Sequence, residues 1–295
     1  MFDKVIKNPF GFYSLREIPS QEELNKYYSD KYYQKPIGSY EKVYSDEEVQ
    51  YINNKIEQKY LVVLDILQIA GIPSLLDVGC GEGWALKYFK KKSWEVMGLD
   101  YSEFGCKNQN PDCLKYLMVG DIYANIKLLI NDSRKYDCIW LDNVLEHVTE
   151  PLMLLENCRK LINDNGILVV EVPNDFSITQ QYLFNKGYIS KPFWVVNPDH
   201  ISYFNKEGLT SIFDQTGWTC SFLMGDYPID FNLFNINTNY VEDKSKGKAC
   251  HNSRITIENF LHSLSPKKVN ELYRILAELG LGRQIIGFFQ GKVEI

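Results

Sequence analysis

The chain has 295 residues, 45% apolar and 14% aromatic, enough for one domain of about 200 residues with embellishments. A net charge of −6 argues against a nucleic-acid groove as the main surface, and no window reaches the roughly 18 uninterrupted apolar residues of a membrane span. The opening Met-Phe-Asp-Lys-Val-Ile-Lys has no apolar signal core, and seven cysteines without paired spacing read as free thiols in a reducing, cytoplasmic setting. His147, His200, His251 and His262 show no metal-ligand spacing, so no metal is expected.

Residues 1–58 read as an arm dense in tyrosine: Tyr27, Tyr28, Tyr32, Tyr33, Tyr40 and Tyr44. A flat ring with a polar tip suits a lid over a ligand or packing across a sheet edge. Residues 59–225 then alternate strand and helix signals. The run from Leu75 to Trp84 is an apolar stretch that ends in Asp77 and meets Gly79, Gly81 and Gly83 before a helical segment. Missing Cβ atoms there let a helix N-terminus approach a ligand closely. Trp84 stands where a dinucleotide fingerprint places its third glycine, which points to a nucleoside without a pyrophosphate.

A second strand, Trp94 to Leu99, ends in Asp100, where doubly wound folds place a carboxylate for ribose hydroxyls, with Tyr101 beside it. The alternative for Asp100 is a solvated acid capping a helix at Ser102. Leu114 to Val119 predicts a third strand, followed by Gly120-Asp121-Ile122, where Asp121 alone also fits a helix N-cap. Tyr136 to Leu141 predicts a fourth, running into Asp142-Asn-Val-Leu-Glu-His-Val-Thr-Glu-Pro151. A helix from Leu152 to Leu161 and a stop at Asn165-Gly166 precede a fifth strand, Ile167 to Val172, which Pro173-Asn174 ends. Strands separated by helices make a parallel sheet the economical solution.

An insertion, 173–205, carries Pro192-Phe-Trp and Asn197-Pro-Asp-His200-Ile-Ser-Tyr-Phe204. Loops at the carboxyl ends of strands hold ligands in this topology, so the insertion reads as an acceptor site. After a sixth strand, Trp218 to Met224, residues 226–295 read as a helical insertion and a final strand near Gln284 to Gln290. Leu272, Ile275, Leu276 and Leu279 form a helical stripe there, suited to core or a homodimer contact.

Asp77-Val-Gly-Cys-Gly-x-Gly83 resembles the first motif of class I S-adenosylmethionine-dependent methyltransferases, and Leu145-Glu-His-Val-x-x-Pro151 is similar to their ubiquinone-biosynthesis-type branch. The resemblance covers about residues 60–224. It implies an α/β fold with a doubly wound, mostly parallel seven-stranded sheet, and S-adenosylmethionine as cofactor. Asp77, Gly79, Gly81, Gly83, Asp100 and Tyr101 are then cofactor residues. Asp121 would contact the adenine amine, Ile122 the ring, Leu141 and Asp142 the methionine end, and His147 would sit at the active-site rim. The Pro198-Asp-His-x-x-x-Phe204 pattern resembles a segment of bacterial methyltransferases of sugar and surface-polysaccharide pathways.

The methyl group of a sulfonium is already activated, so the protein must exclude water and align the acceptor. A hydroxyl acceptor also needs its proton removed, which suits a histidine. His200 ranks ahead of His147 as base, the latter orienting substrate or capping its helix. Asn143, Asn174, Tyr203 and Glu146 complete the acceptor set, although Glu146 reads equally as surface charge. The expected reaction is O-methylation of a sugar or sugar nucleotide for a surface polysaccharide. N-methylation or a phosphorylated acceptor, a nicotinamide-dependent oxidoreductase, and a non-catalytic cofactor-binding scaffold are the alternatives.

Overall fold

The computed structural model describes residues 2–20, 23, 43–68 and 71–292. Two short strands, β1 (Val5–Lys7) and β2 (Tyr13–Leu15), open the chain. Helix α1 (Asp46–Ile66) follows, started by a reciprocal capping box between Ser45 and Glu48. It is continuous across position 58, so the arm and the core expected on either side of that position share one helix. Alternation then gives β3 (Ser74–Val78), α2 (Trp84–Lys91), β4 (Glu95–Asp100), α3 (Phe104–Gln109), β5 (Leu117–Val119), α4 (Ile122–Asn131) and β6 (Tyr136–Asp142). Next come α5 (Pro151–Leu161), β7 (Ile162–Pro173), α6 (Ile178–Asn185), β8 (Ser202–Tyr203), α7 (Lys206–Gln215) and β9 (Trp218–Gly225). Helices α8 (Gly247–Leu264) and α9 (Pro266–Glu278) precede the last strand, β10 (Gln284–Gly291).

The main sheet has seven strands in the order β5-β4-β3-β6-β7-β10-β9. Neighbours from β5 to β7 are parallel, while β10 lies antiparallel between β7 and β9. The chain steps outward from β3 through β4 to β5, then returns to β6 on the other side. That reversal opens a crevice at the carboxyl ends of β3, β4 and β6, where this topology places ligands. Strands buried on both faces explain the near-continuous apolar runs Ser74–Val78 and Ile167–Val172.

One face of the sheet is closed by α4, α5 and α7 over Leu76, Ile139, Leu168 and Phe289. The other is closed by α1, α2 and α9, where Tyr60, Phe89, Trp94 and Trp140 meet edge to face. Aromatic pairs of this geometry contribute about 0.5–1.5 kcal/mol each beyond area burial. A smaller three-stranded sheet, β1-β2-β8, sits outside the main one, with its own core around Trp194, Tyr203 and Phe176.

Three expectations change. The third strand is shorter than predicted, because Pro111–Tyr116 forms a 3-10 turn and only Leu117–Val119 is extended. The α5 helix ends at Leu161 and the chain is already extended at Ile162, so Asn165-Gly166 is no helix stop; it lies where the β6–β7 register jumps from Ile162 to Ile167. Along α9 the core half of the core-or-dimer expectation holds only for Leu276, since Leu272, Ile275 and, at the C-cap, Leu279 are exposed. Tyr27, Tyr28, Tyr32, Tyr33 and Tyr40 lie outside the described residues. Among the described residues, no helix is long and apolar enough to cross a membrane.

Candidate active site

The glycine turn joins β3 to α2, and its amides fold back onto β4: Gly79 N and Cys80 N both donate to Leu99 O, at 2.7 and 3.1 Å. Gly79 and Gly83 have φ of +72° and +74°, in the left-handed region that disfavours side chains. A Cβ on Gly79 would lie 2.5 Å from Val144 Cγ2, and one on Gly83 would lie 3.0 Å from Cys106 Sγ. A side chain at Gly79 is therefore strained by both its backbone angle and Val144, and one at Gly83 by its backbone angle and close contact with Cys106. Gly81 N donates to Asp100 Oδ2 at 2.8 Å, and Ser102 N to Asp100 Oδ1 at 3.0 Å. Asp100 thus fastens the turn from the tip of β4. It caps no helix at Ser102, since α3 starts at Phe104 behind Glu103.

Asp77, next to last in β3, is buried, and burial, with the Asp142 and Asp100 charges, pushes its carboxyl well above the ordinary range. Asp121 fulfils its N-cap reading, accepting from Ala124 N at 2.8 Å, and its other oxygen accepts from Tyr101 Oη at 2.6 Å. Ile122 and Leu141 are buried in the main core. Trp84, in place of a third glycine, donates to the Glu82 carboxylate at 2.6 Å, and Tyr44 Oη donates to the same group at 2.9 Å. The segment before α1 is thereby pinned to the glycine turn.

The tips of β6 and β7 carry the second half of the site. Asn143 has φ +54°, donates from Nδ2 to Asp142 Oδ1 at 2.8 Å, and accepts from Gln284 Nε2 at 3.2 Å. Glu146 is not surface charge. It is 1% exposed, and neither carboxylate oxygen has a hydrogen-bond partner. Burial, with Asp175, Asp142 and Glu171 nearby, holds that carboxyl well above the usual range. His147 caps no helix, because α5 begins at Pro151; its Nδ1 lies 2.6 Å from the Asp199 carbonyl oxygen. The His147 and His200 rings meet edge to face at 4.9 Å.

His200 Nδ1 sits 3.9 Å from Asp175 Oδ2, and Arg283 Nη1 donates to Asp175 Oδ1 at 3.1 Å. The fold thus gathers Glu146, His147 and His200, offering one ligand atom each within 4.8 Å of one another, a donor set close enough to hold a cation and one that sequence spacing did not show.

Two acceptor candidates are committed elsewhere. Tyr203 is 0% exposed and donates from Oη to His200 O at 3.0 Å, so it braces the histidine loop instead of facing a substrate. Asn174 is buried and donates from Nδ2 to the carbonyls of Gly280 and Gly282 at 3.2 and 3.1 Å. Its region borders a separate cavity of about 300 Å³ between the starts of α6 and α7 and the end of α9.

Sequence reasoning passed over Lys59, Glu171, Asp175, Arg283 and Gln284. Only Glu171 carried a local signal, as an acid inside the apolar run Ile167-Leu-Val-Val-Glu-Val172.

The chain is 24% identical over 144 residues to a probable S-adenosylmethionine-dependent methyltransferase of Mycobacterium tuberculosis, covering 49% of this chain and 48% of that one. It is 28% identical over 156 residues to a ubiquinone biosynthesis O-methyltransferase of Coxiella burnetii, covering 48% and 65%. The chain therefore spans about half to two thirds of the length of these curated relatives. A plantazolicin methyltransferase, solved with a desmethyl analogue and S-adenosylhomocysteine, superposes with a TM-score of 0.51 over 93% of this chain and 92% of that one; at 13% identity it speaks to the fold alone. The model of the methyltransferase domain family matches residues 48–221. That match spans more than half of the chain, so the protein belongs to the methyltransferase domain family.

Proposed function

We propose that this protein transfers a methyl group to a hydroxyl oxygen of a small polar acceptor, a sugar or sugar nucleotide of surface-polysaccharide synthesis, in the reducing interior of a cell. The observation that carries the hydroxyl assignment is the His147–His200 pair, set against buried Glu146 beside the β6 tip. The sugar assignment leans on the Pro198-Asp-His200 segment and its resemblance to sugar-pathway enzymes.

The glycine turn, Asp100 and Asp121 fit a nucleoside: a cradle in which a Cβ would be strained, a carboxylate at the ribose position, and an acid at the base position. When bound, S-adenosylmethionine supplies an activated methyl group on a sulfonium. This chain's residues do the remainder. Asp142 and Asn143 orient acceptor hydroxyls at the β6 tip. His200 takes the hydroxyl proton as the oxygen attacks, and Asp175, itself held by Arg283, stabilises the imidazolium that forms. His147, fixed through its contact with the Asp199 carbonyl, orients the acceptor from the adjacent edge.

The test is a radiolabelled methyl-transfer screen over sugars and sugar nucleotides, preceded by calorimetry with S-adenosylhomocysteine and with NADH as control. On the acceptor that turns over, His200→Ala should lower the rate by about 100- to 10,000-fold while sparing S-adenosylhomocysteine affinity. A variant with full activity removes His200 as base. Methyl transfer to amines but to no hydroxyl compound overturns the O-methylation reading.

A further inference from the structure

Helix α1 carries two buried lysines one turn apart, with different partners. Lys55 Nζ lies 3.0 Å from Glu258 Oε2 on α8 and 5.1 Å from the Tyr273 ring on α9, tying the helical insertion to the core. Lys59 Nζ points to the strand tips. It donates to Asp142 Oδ2 at 2.5 Å and to Glu171 Oε2 at 2.7 Å, and lies 4.8 Å from the Trp140 ring. Side-chain exposure is 3% for Lys59, 9% for Glu171 and 32% for Asp142. Of these three charged groups, Asp142 is the one that opens into the cleft.

We propose that Lys59 is a positioning residue of the cofactor site, holding the Asp142 carboxylate in place and aimed at the seat of the methionine moiety. Asp142 and Glu171 are register partners on adjacent parallel strands. Two carboxylates so placed repel, and without a cation between them they would share a proton or swing apart. A buried ammonium bonded to both removes that conflict and fixes the spacing. An apolar residue would fill the same volume against Trp140 more cheaply, so packing alone does not account for a lysine here. The groups facing this pair are Lys59, Lys55 and Tyr51 from α1, Asp77 from β3 and Glu146 from the turn after β6. All but the two lysines are neutral or anionic, so Lys59 is the cation in contact with both carboxylates. Asp142, steadied on one side by Lys59 and on the other by Asn143, keeps lone pairs for a donor such as the α-ammonium group of the cofactor. The inference rests on the cofactor and not on any acceptor, so a failed sugar assignment leaves it standing.

Calorimetric titration of the full chain with S-adenosylhomocysteine, at pH values from about 6 to 8.5, tests it. Lys59→Met should weaken binding about tenfold or more near pH 6, where buried Glu171, left without its ammonium, keeps a proton that bonds Asp142, and recover part of the loss as pH rises and Glu171 releases it. Lys59→Arg should stay within about threefold of the parent protein, because a guanidinium also bonds two carboxylates. Lys267→Met, which breaks only the exposed ion pair with Asp65, is the control: it should leave the affinity and its pH profile those of the parent. If Lys59→Met does not fold, Lys59→Met with Glu171→Gln keeps the local charge balance, and weakened binding is expected there too. Binding by the Lys59→Met variant, or by the double variant, within threefold of the parent across the pH range overturns the proposal and leaves Lys59 a packing residue.

Discussion

Asp100 carries two roles in the proposed function, fastener of the glycine turn and ribose acceptor, and a pair of substitutions tells them apart. Its carboxylate accepts two backbone bonds, from Gly81 N at 2.8 Å and Ser102 N at 3.0 Å, and the proposed function places the ribose against it. Asp100→Ala deletes both loop bonds and the ribose acceptor together. A hydrogen bond to a charged group contributes about 1.5–3 kcal/mol, so losing the ribose contact alone should raise the S-adenosylhomocysteine Kd by about 10- to 150-fold. The loop bonds add a stability loss visible without ligand, as a lower Tm. Asp100→Asn separates the two effects. It keeps one acceptor oxygen for the turn, so its Tm should fall less, while the lost charge still weakens ribose binding. Calorimetry gives the Kd values and differential scanning the Tm values. An Asp100→Ala protein with native circular dichroism and a Kd within twofold of the parent would refute the ribose role and leave Asp100 as the fastener of the glycine turn.

Gly79→Ala must place a Cβ 2.5 Å from Val144 Cγ2 at φ +72°. The left-handed conformation alone costs about 1–2 kcal/mol, and the variant should lose both Tm and cofactor affinity; unchanged calorimetry would show that the turn adapts. Glu146 gives a pH prediction. Its folded carboxyl is raised well above 4.5, first by burial and then by Asp175, Asp142 and Glu171. The folded state therefore holds a proton that the unfolded chain has released, and stability falls as pH rises through that window. Glu146→Gln removes the slope, so its Tm should gain on the parent between about pH 5 and pH 8; a pH-independent difference would mean that Glu146 is ordinarily ionised. Chelation tests the donor set of Glu146, His147 and His200. Turnover that persists in excess EDTA is expected for a histidine base, whereas loss restored by Mn²⁺ or Zn²⁺ would reassign the set to a cation.

What the sequence made legible is what chain neighbours enforce. The glycine turn, Asp77, Asp100 and Asp121 sit at strand ends a few residues from the elements they serve, so apolar runs and turn chemistry located them. The third strand failed because Pro111 begins a 3-10 turn that uses the same apolar residues as a strand would. Tyr203 and Asn174 failed for another reason: a polar side chain in a loop at the sheet's carboxyl edge looks like a ligand group until the fold shows which backbone carbonyl it satisfies. The remainder of the site is built across long separations. Lys59 meets Asp142 and Glu171 from 83 and 112 residues away, and Gln284 meets Asn143 from 141. No spacing singles out Lys59, and only the docking of α1 over the tips of β6 and β7 sets it against their carboxylates. An acid in the middle of Ile167-Leu-Val-Val-Glu-Val172 is the one local sign of that docking, because a carboxylate in a strand buried on both faces requires a cation from elsewhere in the chain.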